Sequence, residues 1–322
     1  MLRGIAKFAA QAPVLEAKAR VDYFELATRS LLNRCSNSKM PFQWTINPYR
    51  GCEFACRYCY ARATHEFLEL HDPRDFETKI YAKDFQTAAF AQELGKVGLH
   101  ESIAIGTATD PYQPAERRYG LTRRILEVFA RRTGYQLSIT TKSDLIARDL
   151  DVLLEIRQRN SLSINMTVTT LDTALARALE PMAPRPDLRM AAVEKLASHG
   201  IHVGVFVSPL MPRINDGREA LERIARAAQD AGAERFGGRV LYLDPVPREV
   251  FFKYLRAERP QLLRFYQDQF AFRTGLRHEE SERLKGVIDE VRDRFHFPAG
   301  AALPVEPPPQ LALFAEIGRA HV

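Results

Sequence analysis

No run in this 322-residue sequence is long enough and apolar enough to span a bilayer. Its longest apolar stretches, such as "VGVFV", are strand-sized, whereas a spanning helix needs about 20 residues. The N-terminal "MLRGIAKFAAQAPVLEAKAR" also lacks the continuous apolar core of a secretory signal, because Lys7, Gln11 and Glu16 interrupt it. No membrane attachment is expected, and a cytoplasmic, reducing location is, where cysteines stay as thiols or bind metal. Cysteine is itself scarce. Of four in the chain, three crowd into "GCEFACRYCYA" as Cys52, Cys56 and Cys59, spaced C-x3-C-x2-C, with no fourth nearby. Internal repeats are absent beyond a simple strand–helix alternation.

Hydrophobic residues make up 46% and charged residues 27%, enough apolar material for a sizeable core. Lys plus Arg number 46 against 40 Asp plus Glu, a net charge of +6 that suits a polyanionic partner without identifying one. From about residue 100 strands and amphipathic helices alternate. "SIAIGT", "YQLSITT", "LSINMTVTT", "HVGVFVSPL" and "RVLYLDPV" read as strands, separated by helices that end at Gly200 and Gly232 in two cases. With "QWTIN" before the cysteines this makes six strands. Such repetition demands a parallel sheet covered by helices, either an open doubly wound sheet or a full or partial barrel. In a barrel the polar strand ends, namely the cysteine loop, "TATD", "TTK", "TVTT" and "SPLMP", share one face, where active sites form. After Pro247 the pattern turns helical, in "EVFFKYLRAERPQLLRFYQDQF" and "HEESERLKGVIDEVRDRF", and "FPAGAALPVEPPPQ" reads as a linker. The expected divisions are an N-terminal segment 1–40, a βα core 41–250, a helical extension 251–298 and a proline-rich tail 299–322.

Thiolates are soft ligands for iron–sulfur clusters, zinc or copper(I). A structural zinc site needs four ligands, and His65 could complete a Cys3His set in a non-catalytic, nucleic-acid-binding module. A cubane [4Fe-4S] cluster normally takes four cysteines. Held by three, it keeps one iron open to a ligand that is not protein. Unligated thiols are the blandest alternative. Cys35, in "LLNRCSNS", stands apart and reads as a small buried hydrophobe or an idle thiol.

C-x3-C-x2-C with Tyr58 just before the last cysteine resembles the signature of radical S-adenosylmethionine enzymes. Their fold is a partial (β/α)6 TIM-type barrel, here with a helical C-terminal extension. The resemblance implies a [4Fe-4S] cluster on Cys52, Cys56 and Cys59. It further implies S-adenosyl-L-methionine chelated to the open iron, and a 5′-deoxyadenosyl radical released when an electron donor such as flavodoxin or ferredoxin supplies one electron. "MPFQWTINPYRGCEFACRYCYARATHEF" followed by "GTATDPYQPAERRYGLTRRILE" is similar to the spore photoproduct lyase-like subgroup, over roughly residues 40–250. That likeness implies action on nucleic acid of a DNA-repair kind, with DNA as a partner. RNA, a protein or a small metabolite are the rival substrates of the same chemistry.

Carried onto this sequence, the resemblance implies that Thr109 meets the amino group of S-adenosylmethionine, with Asp110 as an acceptor beside it. Lys142, in "TTKS", meets the carboxylate, and Thr167 and Thr169 make further polar contacts. Tyr58 and Tyr60 match the aromatic positions of the cysteine loop and are the catalytic candidates. On the bland side, Thr167 and Thr169 are ordinary strand formers, Asp110 before Pro111 suits a turn, and Arg213, Asn215 and Asp216 in "SPLMPRIND" read as a cap for the next helix. One position departs from the lyases: their catalytic cysteine, two residues before the hydroxyl matched by Thr109, is here Thr107. A hydroxyl is a far poorer hydrogen-atom donor than a thiol, so the lyase reaction itself is not expected from the resemblance and the substrate stays open. In the tail, "QLALF" resembles the peptide by which bacterial repair proteins dock on the DNA sliding clamp, with Gln310 polar and Leu311, Leu313 and Phe314 as apolar anchors.

Overall fold

A computed structural model of the chain describes residues 5–299 apart from 12, 13, 18–20 and 39. Gln310, Leu311, Leu313 and Phe314 lie outside the described residues. Among the described residues eleven strands form two sheets: β1 (Val14–Ala17), β2 (Asp22–Ala27), β3 (Leu32–Arg34), β4 (Trp44–Ile46), β5 (Tyr49–Arg50), β6 (Lys79–Asp84), β7 (Ser102–Ile105), β8 (Gln136–Thr141), β9 (Ser161–Thr167), β10 (His202–Leu210) and β11 (Arg235–Val240).

The large sheet runs β3-β4-β7-β8-β9-β10-β11. All its pairs from β4 to β11 are parallel, and β3 is added antiparallel at one edge. Along β8 and β9 buried apolar residues alternate with half-buried polar ones, and Ile103, Ile105, Ile139, Ile164, Val203, Val205 and Val207 are fully buried, the side of the sheet packed under apolar cover. β3 and β11 are not paired with each other, so the barrel is partial. The six parallel strands are those expected, with one change of position. The last covers Arg235–Val240 and leaves the sheet where "LYLDPV" begins. Gly237 and Gly238 disguise it as a turn. Gly238 is needed there because a Cβ would lie 2.8 Å from Val207 O and 3.0 Å from Leu210 Cδ1.

The connecting helices Leu121–Ala130, Leu150–Arg157, Pro186–Ser198 and Arg218–Asp230 bury their apolar sides on the sheet. Past Val240 come Pro245–Glu258 and Pro260–Phe270, broken apart at Pro260, which has no N–H to continue the first helix. His278–Arg294 then packs on β11 and on Arg218–Asp230.

The second sheet, β1-β2-β6-β5, was not anticipated. β4 and β5 are separated only by Asn47 and Pro48, so the chain passes from the large sheet to the small one immediately before the cysteines. Pro48 O accepts from Lys83 N at 3.1 Å, which ties the crossing point to β6. Among the described residues no helix is long and apolar enough to cross a membrane.

Two glycines should respond oppositely in equilibrium unfolding. Gly286, inside His278–Arg294 with open space around its Cβ position, should gain roughly 0.5–1 kcal/mol as Gly286→Ala. Gly238→Ala should lose about 1–3 kcal/mol through overpacking against β10. Equal effects would contradict the assigned register.

Candidate functional site

The cysteine loop leaves β5 at Arg50 and is clamped from several sides. Gly51 has φ +82, and a Cβ there would lie 2.8 Å from Phe76 O, so only glycine suits the turn. Cys52 N donates to Phe76 O at 2.8 Å. Gln113, fully buried, grips both neighbours of Cys52: its Nε2 donates to Gly51 O at 3.0 Å, and its Oε1 accepts from Glu53 N at 3.0 Å. Buried Arg62 donates twice to Cys56 O, at 3.3 and 3.1 Å, and pairs with Glu77.

Cys52, Cys56 and Cys59 are all free thiols, the first two buried and the third half-buried. Burial pushes the Cys52 thiol well above its ordinary range, and the charges of Asp110, Cys56 and Cys59 push it further. Cys56 is raised to about 12, by burial first, with Lys142 opposing and Glu180 and Cys59 adding. Buried thiols such as Cys52 and Cys56 need a positive centre to become thiolates, a condition that an iron–sulfur cluster would meet. His65 does not join them. Its Nε2 lies 3.1 Å from Lys79 O, its ring sits against Phe76 and Tyr81, and burial lowers its pKa to about 4. The Cys3His zinc alternative is therefore corrected, because His65 is held against Lys79 O, Phe76 and Tyr81. Cys35 follows β3, its Sγ 3.8 Å from Asn37 O, apart from the other three.

Lys142, at the end of β8, sits with Nζ 5.7 Å from the Tyr58 ring centre. Burial would lower its pKa, but Cys56 and Glu180 hold it above the ordinary value, so it remains a cation facing the cysteine loop. Glu180 gathers the rest: Tyr58 and Thr169 both donate their hydroxyls to it, and the two hydroxyl oxygens are 3.2 Å apart. Arg189 pairs with Glu180 and donates to Thr167 O at 3.1 Å. Glu180 is 2% exposed and Arg189 1%. Burial alone would raise the Glu180 carboxyl, but Arg189 and Lys142 pull it below its usual range.

Thr109 and Asp110 lie on the Cys52 side. Thr109 donates to Gly51 O at 2.5 Å and accepts from Gln113 at 2.9 Å. Asp110 accepts from Thr141 Oγ1 at 2.6 Å and Tyr112 N at 2.9 Å with one oxygen, and from Lys142 N at 2.8 Å with the other. Both side chains thus brace the strand ends. Tyr60 points elsewhere: it is 55% exposed and donates its hydroxyl to Thr107 O. Thr107 Oγ1 accepts from Asn47 at 3.1 Å. Asn215 does not cap the helix at Arg218. It is buried and ties β9 to β10, donating to Thr169 O and Pro209 O, both at 3.0 Å, and accepting from Met211 N at 2.6 Å. Asp216 accepts from Arg213 N at 2.7 Å and pairs with Arg283. Gln113, Glu180, Arg189 and Asn47 gave no signal in the sequence, where a buried polar residue reads like a solvated one.

The sequence pattern of the Radical SAM superfamily matches residues 46–231. An uncharacterized protein of Mycobacterium tuberculosis is 32% identical over 295 residues, which cover 91% of this chain and 86% of that protein. An uncharacterized protein of Methanocaldococcus jannaschii is 30% identical over 174 residues, 54% of this chain and 62% of that protein. In fold, the chain is similar to spore photoproduct lyase complexed with dinucleoside spore photoproduct, with a TM-score of 0.65 at 16% identity, covering 85% of this chain and 79% of that one.

The Glu180–Arg189 pair has a measurable signature. Glu180→Leu leaves Arg189 charged and buried, and should cost about 3–5 kcal/mol in denaturant unfolding. Adding Arg189→Met should recover much of that loss. A double variant as unstable as the single one would contradict the pairing.

Proposed function

The chain belongs to the radical S-adenosylmethionine superfamily, and we propose that Cys52, Cys56 and Cys59 hold its [4Fe-4S] cluster for a DNA-repair type of reaction on nucleic acid. When bound, that cluster and S-adenosylmethionine together supply a 5′-deoxyadenosyl radical able to take hydrogen from a substrate. Three free cysteines on one clamped loop, with no fourth cysteine beside them among the described residues, carry this reading.

The chain's own residues bind and orient. Lys142 offers a half-buried positive charge beside the cysteine loop for the cofactor's carboxylate. Tyr58 is fixed by Glu180 and Thr169, so its ring forms a rigid wall of the site. Thr109 ties the loop after β7 to the cysteine loop and Asp110 ties it to the end of β8, and both act on the cofactor's ammonium through the shape they give that corner. Thr167 and Thr169 set the edge of the site at the end of β9. A flavodoxin- or ferredoxin-type protein is the reductant.

Nucleic acid is favoured by the net charge of +6 and by the fold of an enzyme solved with a dinucleoside lesion. Thr107 in place of a thiol makes the target a lesion or nucleotide whose product radical needs no hydrogen atom from that position.

Two experiments test the proposal. Lys142→Met should raise the half-saturating S-adenosylmethionine concentration roughly tenfold, as expected for a lost charged contact, with bound iron unchanged. Unchanged saturation would remove Lys142 from the cofactor site. Anaerobic turnover with ultraviolet-damaged DNA should alter the DNA in step with 5′-deoxyadenosine release. Unaltered DNA, with release stimulated instead by RNA or protein, would transfer the reaction to those substrates.

A further inference from the structure

The face of the large sheet turned away from the helices is not packed like a barrel core. Barrel interiors are filled by layers of bulky branched side chains. Residues paired in register share a face, and on this one they are small and polar. One row joins Ala104, Ser138, Ser163 and His202, and the next joins Thr140, Asn165, Gly204 and Arg235. Ser138, Thr140, Ser163 and Asn165 are all half-exposed, so the face is an open trough with hydroxyls and an amide in its floor.

Phe206 stands in this trough, in the third row, paired with Thr167 of β9 and Gly237 of β11. Its neighbours Val205 and Val207 point the other way and are fully buried, whereas Phe206 is half-exposed, on the wet side of its strand. The ring rests across two glycines. A Cβ on Gly204 would lie 2.7 Å from Phe206 Cε2, and one on Gly237 would lie 3.4 Å from Cε1. Arg235 has its guanidinium carbon 5.7 Å from the ring centre and donates to Asn165 Oδ1 at 3.2 Å. Asn165 donates in turn to Thr140 Oγ1 at 3.4 Å. Arg239, two residues beyond Gly237 and so on the same face, is exposed, and its charge reaches the hydroxyl of Tyr60. Lys142 follows Thr141, which pairs with Met166. Phe206 is therefore two strand spacings, roughly 10 Å, from the lysine of the cofactor corner.

Taking the nucleic-acid reading above as the premise, we propose that Phe206 is a stacking platform for one base of the substrate strand, with Arg239 holding a phosphate of that strand at the end of the trough nearest the cysteine loop. Every base has a π-face, so a ring laid on a floor of small residues accepts one without a sequence code. The floor's hydroxyls and amide offer donors and acceptors to the edge of the base. A base laid on the inner face of a barrel sheet has left its duplex stack, so the strand is single or presents an extruded nucleotide.

The test compares two probes of equal charge, an oligothymidylate and a phosphodiester chain of the same length without bases. Binding is measured on the full chain, reconstituted anaerobically, with S-adenosylmethionine present and no reductant, so that no turnover contributes. Wild type should bind the oligothymidylate about tenfold more tightly than the abasic chain. Phe206→Ala should bind the oligothymidylate about tenfold more weakly than wild type and the abasic chain equally well. Phe206→Tyr, which keeps the ring, should match wild type on both. Arg239→Gln should weaken both probes alike and reduce the slope of log affinity against log salt by about one. Oligothymidylate bound equally by wild type and Phe206→Ala overturns the platform and leaves the nucleic-acid reading standing. An equal loss on both probes marks a general distortion and also overturns it. A wild type that binds neither probe removes the premise together with the platform.

Discussion

The buried thiols Cys52 and Cys56 ionise only against the cost of leaving water, unless positive charge sits beside them. Burial drives Cys52 and Cys56 upward, and each nearby thiolate would drive the others further. Lys142 also faces Glu180 and Asp110. Much of the surrounding fold keeps the backbone of the loop in one shape, as the cluster-binding role proposed for it requires.

That service is distributed over both sheets. The chain changes sheets at Asn47 and Pro48, so the cysteines begin where a parallel barrel strand meets an antiparallel pair. β6 and Phe76 hold the start of the loop, Gln113 reaches across from the β7 end, and Arg62 holds the middle. On the far side, Glu180 draws Tyr58, Thr169 and Arg189 into one buried unit. A buried ion pair is seldom a net gain in stability over apolar packing. Here it fixes the Tyr58 ring beneath Lys142, which is a reason for its presence that stability does not provide.

The barrel was readable because β4 and β7 to β10 are dense in Ile, Val and Thr and are separated by helical periodicity. β11 was displaced by the Gly237–Gly238 pair, which sequence patterning treats as a turn although close packing demands it. The small sheet was not readable. β5 has two residues, β6 reads as charged with Lys79 and Lys83, and its partners lie far away in sequence. Among site residues, the cysteines and Lys142 are visible through spacing and position at strand ends. Gln113, Glu180 and Arg189 are not, because nothing local distinguishes a buried polar side chain from a solvated one. Asn215 looked like a helix cap for the same reason, and instead ties two strand ends together.

The central claim is that three cysteines, and no other protein ligand, build an open metal site. It is tested most directly by anaerobic reconstitution of Cys56→Ala beside Cys35→Ala, measuring bound iron and 5′-deoxyadenosine released on reduction. The account predicts about four irons per chain and full release for Cys35→Ala, with loss of both for Cys56→Ala. Iron and release retained in Cys56→Ala would contradict it.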